Sequence, residues 1–161
     1  MSTQKNSTWT ARKSVQSVSE NLVTEVFKIT GNDAAANDYI LLTELPFGTT
    51  VMDCVVNVRD AAAAAAILDV GVYAAENVVD DVLTPAGAGY DIGGLYNGAD
   101  LNSAVVDTTG VKGVLLGVPL DEDVFTSSDQ YQEPIVIAGK VLAELIVAAD
   151  EALVILTYKL P

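Results

Sequence analysis

The chain has 161 residues, enough for one domain with a sizeable core and no staple. It carries 8 basic and 22 acidic residues, a net charge of −14, so an acidic body that repels phosphate backbones argues against a nucleic-acid surface. One cysteine excludes an internal disulfide, and the lack of histidine removes Ser-His-Asp and Cys-His nucleophiles and histidine metal centres.

The first segment, residues 1–18, is rich in Ser, Thr, Gln and Asn and holds one large hydrophobe, Trp9. Lys5, Arg12 and Lys13 against Glu20 give the first 20 residues a net charge of +2, and the rest of the chain −16. This reads as a polar N-terminal arm, followed by a single domain over 19–161. A tryptophan in such an arm points to docking, on the arm's own domain or on an acidic partner. The polar start, and the lack of any apolar run of about 18 residues, predict a soluble protein made in the cytoplasm with no membrane contact.

Strand patterns begin at LVTEVFKIT, Leu22 to Thr30, and DYILLTEL, Asp38 to Leu45. In VMDCVVNVRD, Met52, Cys54, Val56 and Val58 alternate with Asp53, Val55, Asn57 and Arg59, the period of a half-buried strand. Six alanines, Ala61 to Ala66, follow. Alanine favours helix, yet a helix here would have no amphipathic face, and period two resumes at once: Leu68, Val70 and Val72 against Ile67, Asp69, Gly71 and Tyr73. So short a gap suits a hairpin connection over Asp60 to about Ala64, with Ala65 to Tyr73 as the returning strand. Small side chains there permit another backbone to come close, which makes Ala63, Ala64, Ala65 and Ala66 a candidate oligomer interface.

Ala75 to Pro85 reads as one short helical turn, and AGAGYDIGGLYNGADLNS as a long loop or a pair of weak strands. AVVDTTGVKGVLLGVPL reads as two short strands around Thr108 to Gly110, and DEDVFTSSDQYQEP as an acidic loop. Lys140 to Ala152 suits helix by residue type but reads better as a strand and then a turn near Ala148 to Glu151. In the last strand Val154, Leu156, Tyr158 and Leu160 alternate with Leu153, Ile155, Thr157 and Lys159. Eight or nine short strands between turns predict an all-β fold, an antiparallel β-sandwich of jelly-roll-like form.

No motif for catalysis, a cofactor or a metal emerges. Cys54 lies in an apolar row and reads as a small buried hydrophobe. The neighbouring carboxylates Asp80 and Asp81, Asp121 and Asp123, Asp150 and Glu151 read as solvated loop charges, since glycoside hydrolysis needs two acids across a cleft. The acidic loop fails the EF-hand pattern at Phe125, Thr126 and Gln132, which leaves open only a cation site of another kind. Gly87 and Gly89 are followed by Ile92 where a dinucleotide fingerprint needs its third glycine. The profile is that of a structural or binding protein rather than an enzyme.

A hydrophobic strand, a small-residue turn, then AILDVGVYAAENVVDDVL resembles the head decoration, or cement, proteins of tailed bacteriophages, which include capsid fibre proteins. The closing GKVLAELIVAADEALVILTYKL is similar to their last hairpin. The likeness covers about Phe47 to Leu83 and Gly139 to Leu160. It implies a jelly-roll-like sandwich, a homotrimer on the capsid exterior, and the phage major capsid protein as partner, clamped between capsomers against internal pressure. Trp9, Arg12 and Lys13 would then be capsid contacts, since aromatic and arginine side chains commonly anchor interfaces. The alternative is a tail or receptor-binding module for a host glycan, with Tyr90, Asp91, Tyr96 and Asn97 as its nearest candidates. A carboxylate hydrolase is the third reading.

Overall fold

A computed structural model describes residues 3–4, 14–19, 22–30, 36–61, 66–80, 82–85, 90–102, 110–121, 134–142 and 151–161. In chain order the strands are β1 (Thr3–Gln4), β2 (Ser14–Ser19), β3 (Leu22–Thr30), β4 (Tyr39–Leu45), β5 (Thr50–Asp60) and β6 (Ile67–Ala74). They continue as β7 (Val78–Val79), β8 (Val82–Leu83), β9 (Tyr90–Asp100), β10 (Val111–Lys112), β11 (Ile135–Leu142) and β12 (Glu151–Lys159). Among the described residues the only helical element is a 3-10 turn, Ala75–Asn77.

The strands form a six-stranded sheet, β1-β4-β11-β6-β9-β10, a four-stranded sheet, β2-β3-β12-β5, and a two-stranded ribbon, β7-β8. Every pairing is antiparallel except β1 with β4. The two larger sheets face each other and share one core, so the fold is the expected all-β sandwich.

Alternation explains which side chains fill it. Val23, Phe27 and Ile29 of β3, Cys54, Val56 and Val58 of β5, and Ala152, Val154, Leu156 and Tyr158 of β12 point inward from the smaller sheet. Ile40 and Leu42, Leu68, Val70 and Val72, and Ile135, Ile137 and Val141 meet them from the larger one. Glu25 of β3 is buried as well and accepts a hydrogen bond from Tyr158. Burial and that bond push the Tyr158 hydroxyl far above its ordinary value.

The expected row in β5 is broken at one place. Thr157 pairs with Asp53 and Tyr158 with Val51, so Met52 has no residue opposite it. This bulge turns Val51 into the core and leaves Met52 exposed.

The alanine run is not a hairpin connection. β5 belongs to the smaller sheet and β6 to the larger, so the chain crosses between sheets over Ala61 to Ala66. The same holds at the C-terminal end, where β11 and β12 lie in opposite sheets. Sheets packed face to face stand about 10 Å apart, and a connection that bridges them needs more chain than a two-residue turn. Residues 62–65 and 143–150 themselves lie outside the described residues.

The segment 90–100, expected as a loop or two weak strands, is a paired strand with a wide interruption. Val72 lies opposite Asp91 but Val70 opposite Tyr96, so the residues between bulge past Gly71. A Cβ on Gly71 would stand 2.2 Å from the Asp91 carbonyl oxygen, so only glycine admits this close passage.

The larger sheet is covered on its outer face too. Tyr39, Tyr73, Leu83, Val136 and Ala138 form a second, smaller cluster there, with Leu83 supplied by the ribbon. Burial on both faces explains the unbroken run of buried residues in β6. The ribbon turns at Asp80, which adopts φ 52°, a conformation that Asp tolerates better than most residues. Only the first part of Ala75 to Pro85 is the expected helical turn; the rest is this ribbon.

Candidate interaction surfaces

Among the described residues the chemistry-bearing side chains do not converge. Among the described residues no group of three His, Cys, Asp or Glu side chains is close enough to hold a metal. Cys54 is fully buried in the core, as its place in the apolar row predicts. Of the neighbouring acids, Asp80 sits at the ribbon turn and Glu151 is ion-paired with Lys28 at 2.8 Å. Asp81, Asp123 and Asp150 lie outside the described residues. A shallow depression of about 530 Å³ at one end of the sandwich is lined by Glu44, Leu45, Pro46, Phe47 and Pro134, with one carboxylate among them.

The two aromatic glycan candidates are covered to different degrees. Tyr96 is buried in the sandwich core, with the Lys112 ammonium 5.2 Å from its ring centre, so it offers no exposed platform. Tyr90 lies at the other end of β9, half-buried and stacked on Tyr73 at 6.1 Å. Tyr73 is enclosed, edge-on to Tyr39 at 5.8 Å, and its hydroxyl has no hydrogen-bond partner among the described residues. Burial, with Tyr39, Asp69 and Asp91 nearby, drives its ionisation far upward. On the same strand Asp69 is nearly enclosed and accepts the Gly98 N–H at 2.6 Å. Burial raises its pKa, and that bond together with Lys140 pulls it back.

The arm candidates Trp9, Arg12 and Lys13 lie outside the described residues, as do Ala63, Ala64 and Ala65. Flanking them, β1 pairs with Tyr39 and Ile40, and β2 lies along β3. Ala66 is buried in its own core, and its carbonyl accepts the Leu101 N–H at 3.0 Å.

Sequence reasoning missed the segment 110–121. The strand expected after the turn at Thr108 to Gly110 is only the two-residue β10; beyond it the chain turns and crosses from the larger sheet to the smaller. Gly113 and Leu115 donate N–H bonds to Leu95 and Gly94 of the larger sheet. Gly117 and Leu120 then donate to Val51 and Thr49, beside the smaller one. Leu115 and Leu116 pack on the core and Leu120 is buried. A Cβ on Gly113 would come within 2.1 Å of the Gly94 carbonyl oxygen, so a glycine is required at that crossing. Lys112 ties the seam: its ammonium pairs with Asp53 at 3.0 Å, and it donates a hydrogen bond to the Cys54 carbonyl.

The same seam holds most of the exposed large hydrophobes. Val111, Val114 and Val118 lie on it at 70%, 80% and 36% exposure. Met52, 50% exposed, lies between Val51, which accepts the Gly117 N–H, and Asp53, which Lys112 holds. The sequence does carry a signal for this surface: residues 108–120, TTGVKGVLLGVPL, contain no acid in a chain of net charge −14.

No family model matches the sequence, and no curated protein matches it. In structure the chain is similar to a chain of the capsid of Ralstonia phage GP4. The TM-score is 0.56 at 18% identity, over 98% of this chain and 96% of that one. At that identity the likeness is one of fold.

Proposed function

We propose that this protein is a structural component of a phage virion that decorates the capsid exterior and binds the major capsid protein between capsomers. The observation that carries the reading is the end-to-end likeness to a phage capsid chain.

The mechanism is thermodynamic. A protein that binds only the assembled shell stabilises it by mass action. Association into a trimer multiplies the effect, because several contacts then engage the lattice together. Trp9, Arg12 and Lys13 are the contacts proposed for the arm: an aromatic anchor and two cations on an otherwise acidic protein.

Co-sedimentation with undecorated capsids tests this. The full chain is expected to pellet with capsids and to raise the temperature at which they open. Removing residues 1–13, which leaves β2 in place and takes from the sheets only the two-residue edge strand β1, is expected to abolish pelleting while the free protein stays folded with a slightly lower melting temperature. Failure of the full chain to pellet sinks the decoration reading. Unchanged pelleting after truncation sinks the arm contacts alone.

A further inference from the structure

The seam between β10 and β5 is apolar without a folding reason to be so. Its inward side chains, Leu115, Leu116 and Leu120, already close the core. Val111, Val114, Val118 and Met52 point away from it. A segment that only bridged two sheet edges would be stable with polar residues at those positions. Exposed apolar side chains gathered on one strip mark an interaction surface.

Charge selects the partner. Two bodies of charge −14 repel each other over most of their surfaces. The strip 108–120 has no acid, and its one cation, Lys112, is neutralised by Asp53. A second copy therefore meets little charge repulsion along this strip. Self-association also needs a patch that complements itself. Lys112 and Asp53 stand side by side at 41% and 52% exposure, so across a symmetry axis each can face its opposite in the neighbouring copy.

We propose that this seam, centred on Val111, Val114, Val118 and Met52 with the Lys112–Asp53 pair, is the surface through which copies of this chain associate. The inference deepens the self-association within the proposed function and rests on that part alone, not on capsid binding. It competes directly with the alanine crossing at Ala63 to Ala66.

Sedimentation velocity on the full chain, across a wide concentration range, tests it. Wild type is expected to run as a multiple of the chain mass. Val111→Asp with Val114→Asp is expected to weaken association by about a hundredfold, with an unchanged melting temperature, since both side chains are exposed. Val79→Asp, on the ribbon and 66% exposed, should keep the wild-type mass. Added salt should strengthen wild-type association, because it screens the repulsion between bodies. A wild type that stays monomeric throughout overturns the proposal, as does a seam double variant that keeps the wild-type mass. So does dissociation by Ala64→Asp without dissociation by the seam variants. A monomer that still pellets with capsids removes the seam and leaves decoration standing; a seam-dependent oligomer that ignores capsids does the reverse.

Discussion

The larger sheet is packed on both faces, and the two packings differ in kind. Its inner face meets the smaller sheet along β3, β5 and β12, in a core of interleaved aliphatic rows. On its outer face, among the described residues, the ribbon's Leu83 packs on the sheet's own Tyr39, Tyr73, Val136 and Ala138. The inner core is built from strands that span the domain, whereas the outer one hangs on Leu83 and the rings of Tyr39 and Tyr73. Loss of an inner side chain should therefore be felt by the whole domain, and loss of an outer one by a local unit.

The largest test removes one buried side chain from each side. Phe27→Ala, in the inner core, is expected to lower stability by about 3–5 kcal/mol in urea unfolding, with all probes moving together. Leu83→Ala is expected to cost about 2–4 kcal/mol by the same measure. Its hydrogen exchange should quicken first at Val78 to Leu83 while β3 and β12 stay protected. Equal exchange in both regions would erase the distinction.

A second test uses the buried tyrosines. Tyr39, Tyr73 and Tyr158 all ionise above their ordinary range in the fold, chiefly through burial. A raised folded value gives stability that is full below pH about 10 and is lost as pH climbs further. Melting temperature should therefore fall steeply in alkali, and Tyr73→Phe and Tyr158→Phe should each make that fall shallower. At neutral pH the two part company. Tyr158→Phe takes a hydrogen bond from buried Glu25 and should cost about 1–3 kcal/mol. Tyr73→Phe removes a hydroxyl without an acceptor among the described residues, and should be neutral or gain up to about 1 kcal/mol. Matching losses in both variants would show the two cores to be alike in polar satisfaction.

The smallest effect is expected at the rim of the inner core. Lys28→Ala breaks the half-exposed pair with Glu151, and thermal unfolding should register about 0.2–1 kcal/mol. A larger loss would mean that the edge of the smaller sheet carries stability that its exposure does not suggest.

Reading strands from residues worked where alternation is undisturbed. β12 keeps period two over its whole length, and Ala152, Val154, Leu156 and Tyr158 all face the core. β3 coincides with the expected Leu22 to Thr30. Alternation misled at Met52, because a bulge is set by the partner strand's register and leaves no mark in the strand's own sequence. Glycine misled at 90–100: the stretch expected as a loop or a pair of weak strands is one strand that bulges past Gly71. The exposure of the seam is not legible in the sequence, because Val111, Val114 and Val118 have the residue type of a buried strand and only the fold leaves them exposed.

By itself the sequence determined an all-β chain, its net acidity, its lack of histidine, and most residues of the inner rows. These are local properties: period two follows from strand geometry, and charge and missing histidines need only counting. Which strands pair, and in which sheet, only the tertiary structure decided. β5 and β6 are neighbours in sequence yet lie in opposite sheets. Pairing is settled by which apolar faces bury each other across the core, and no short stretch of chain carries that information.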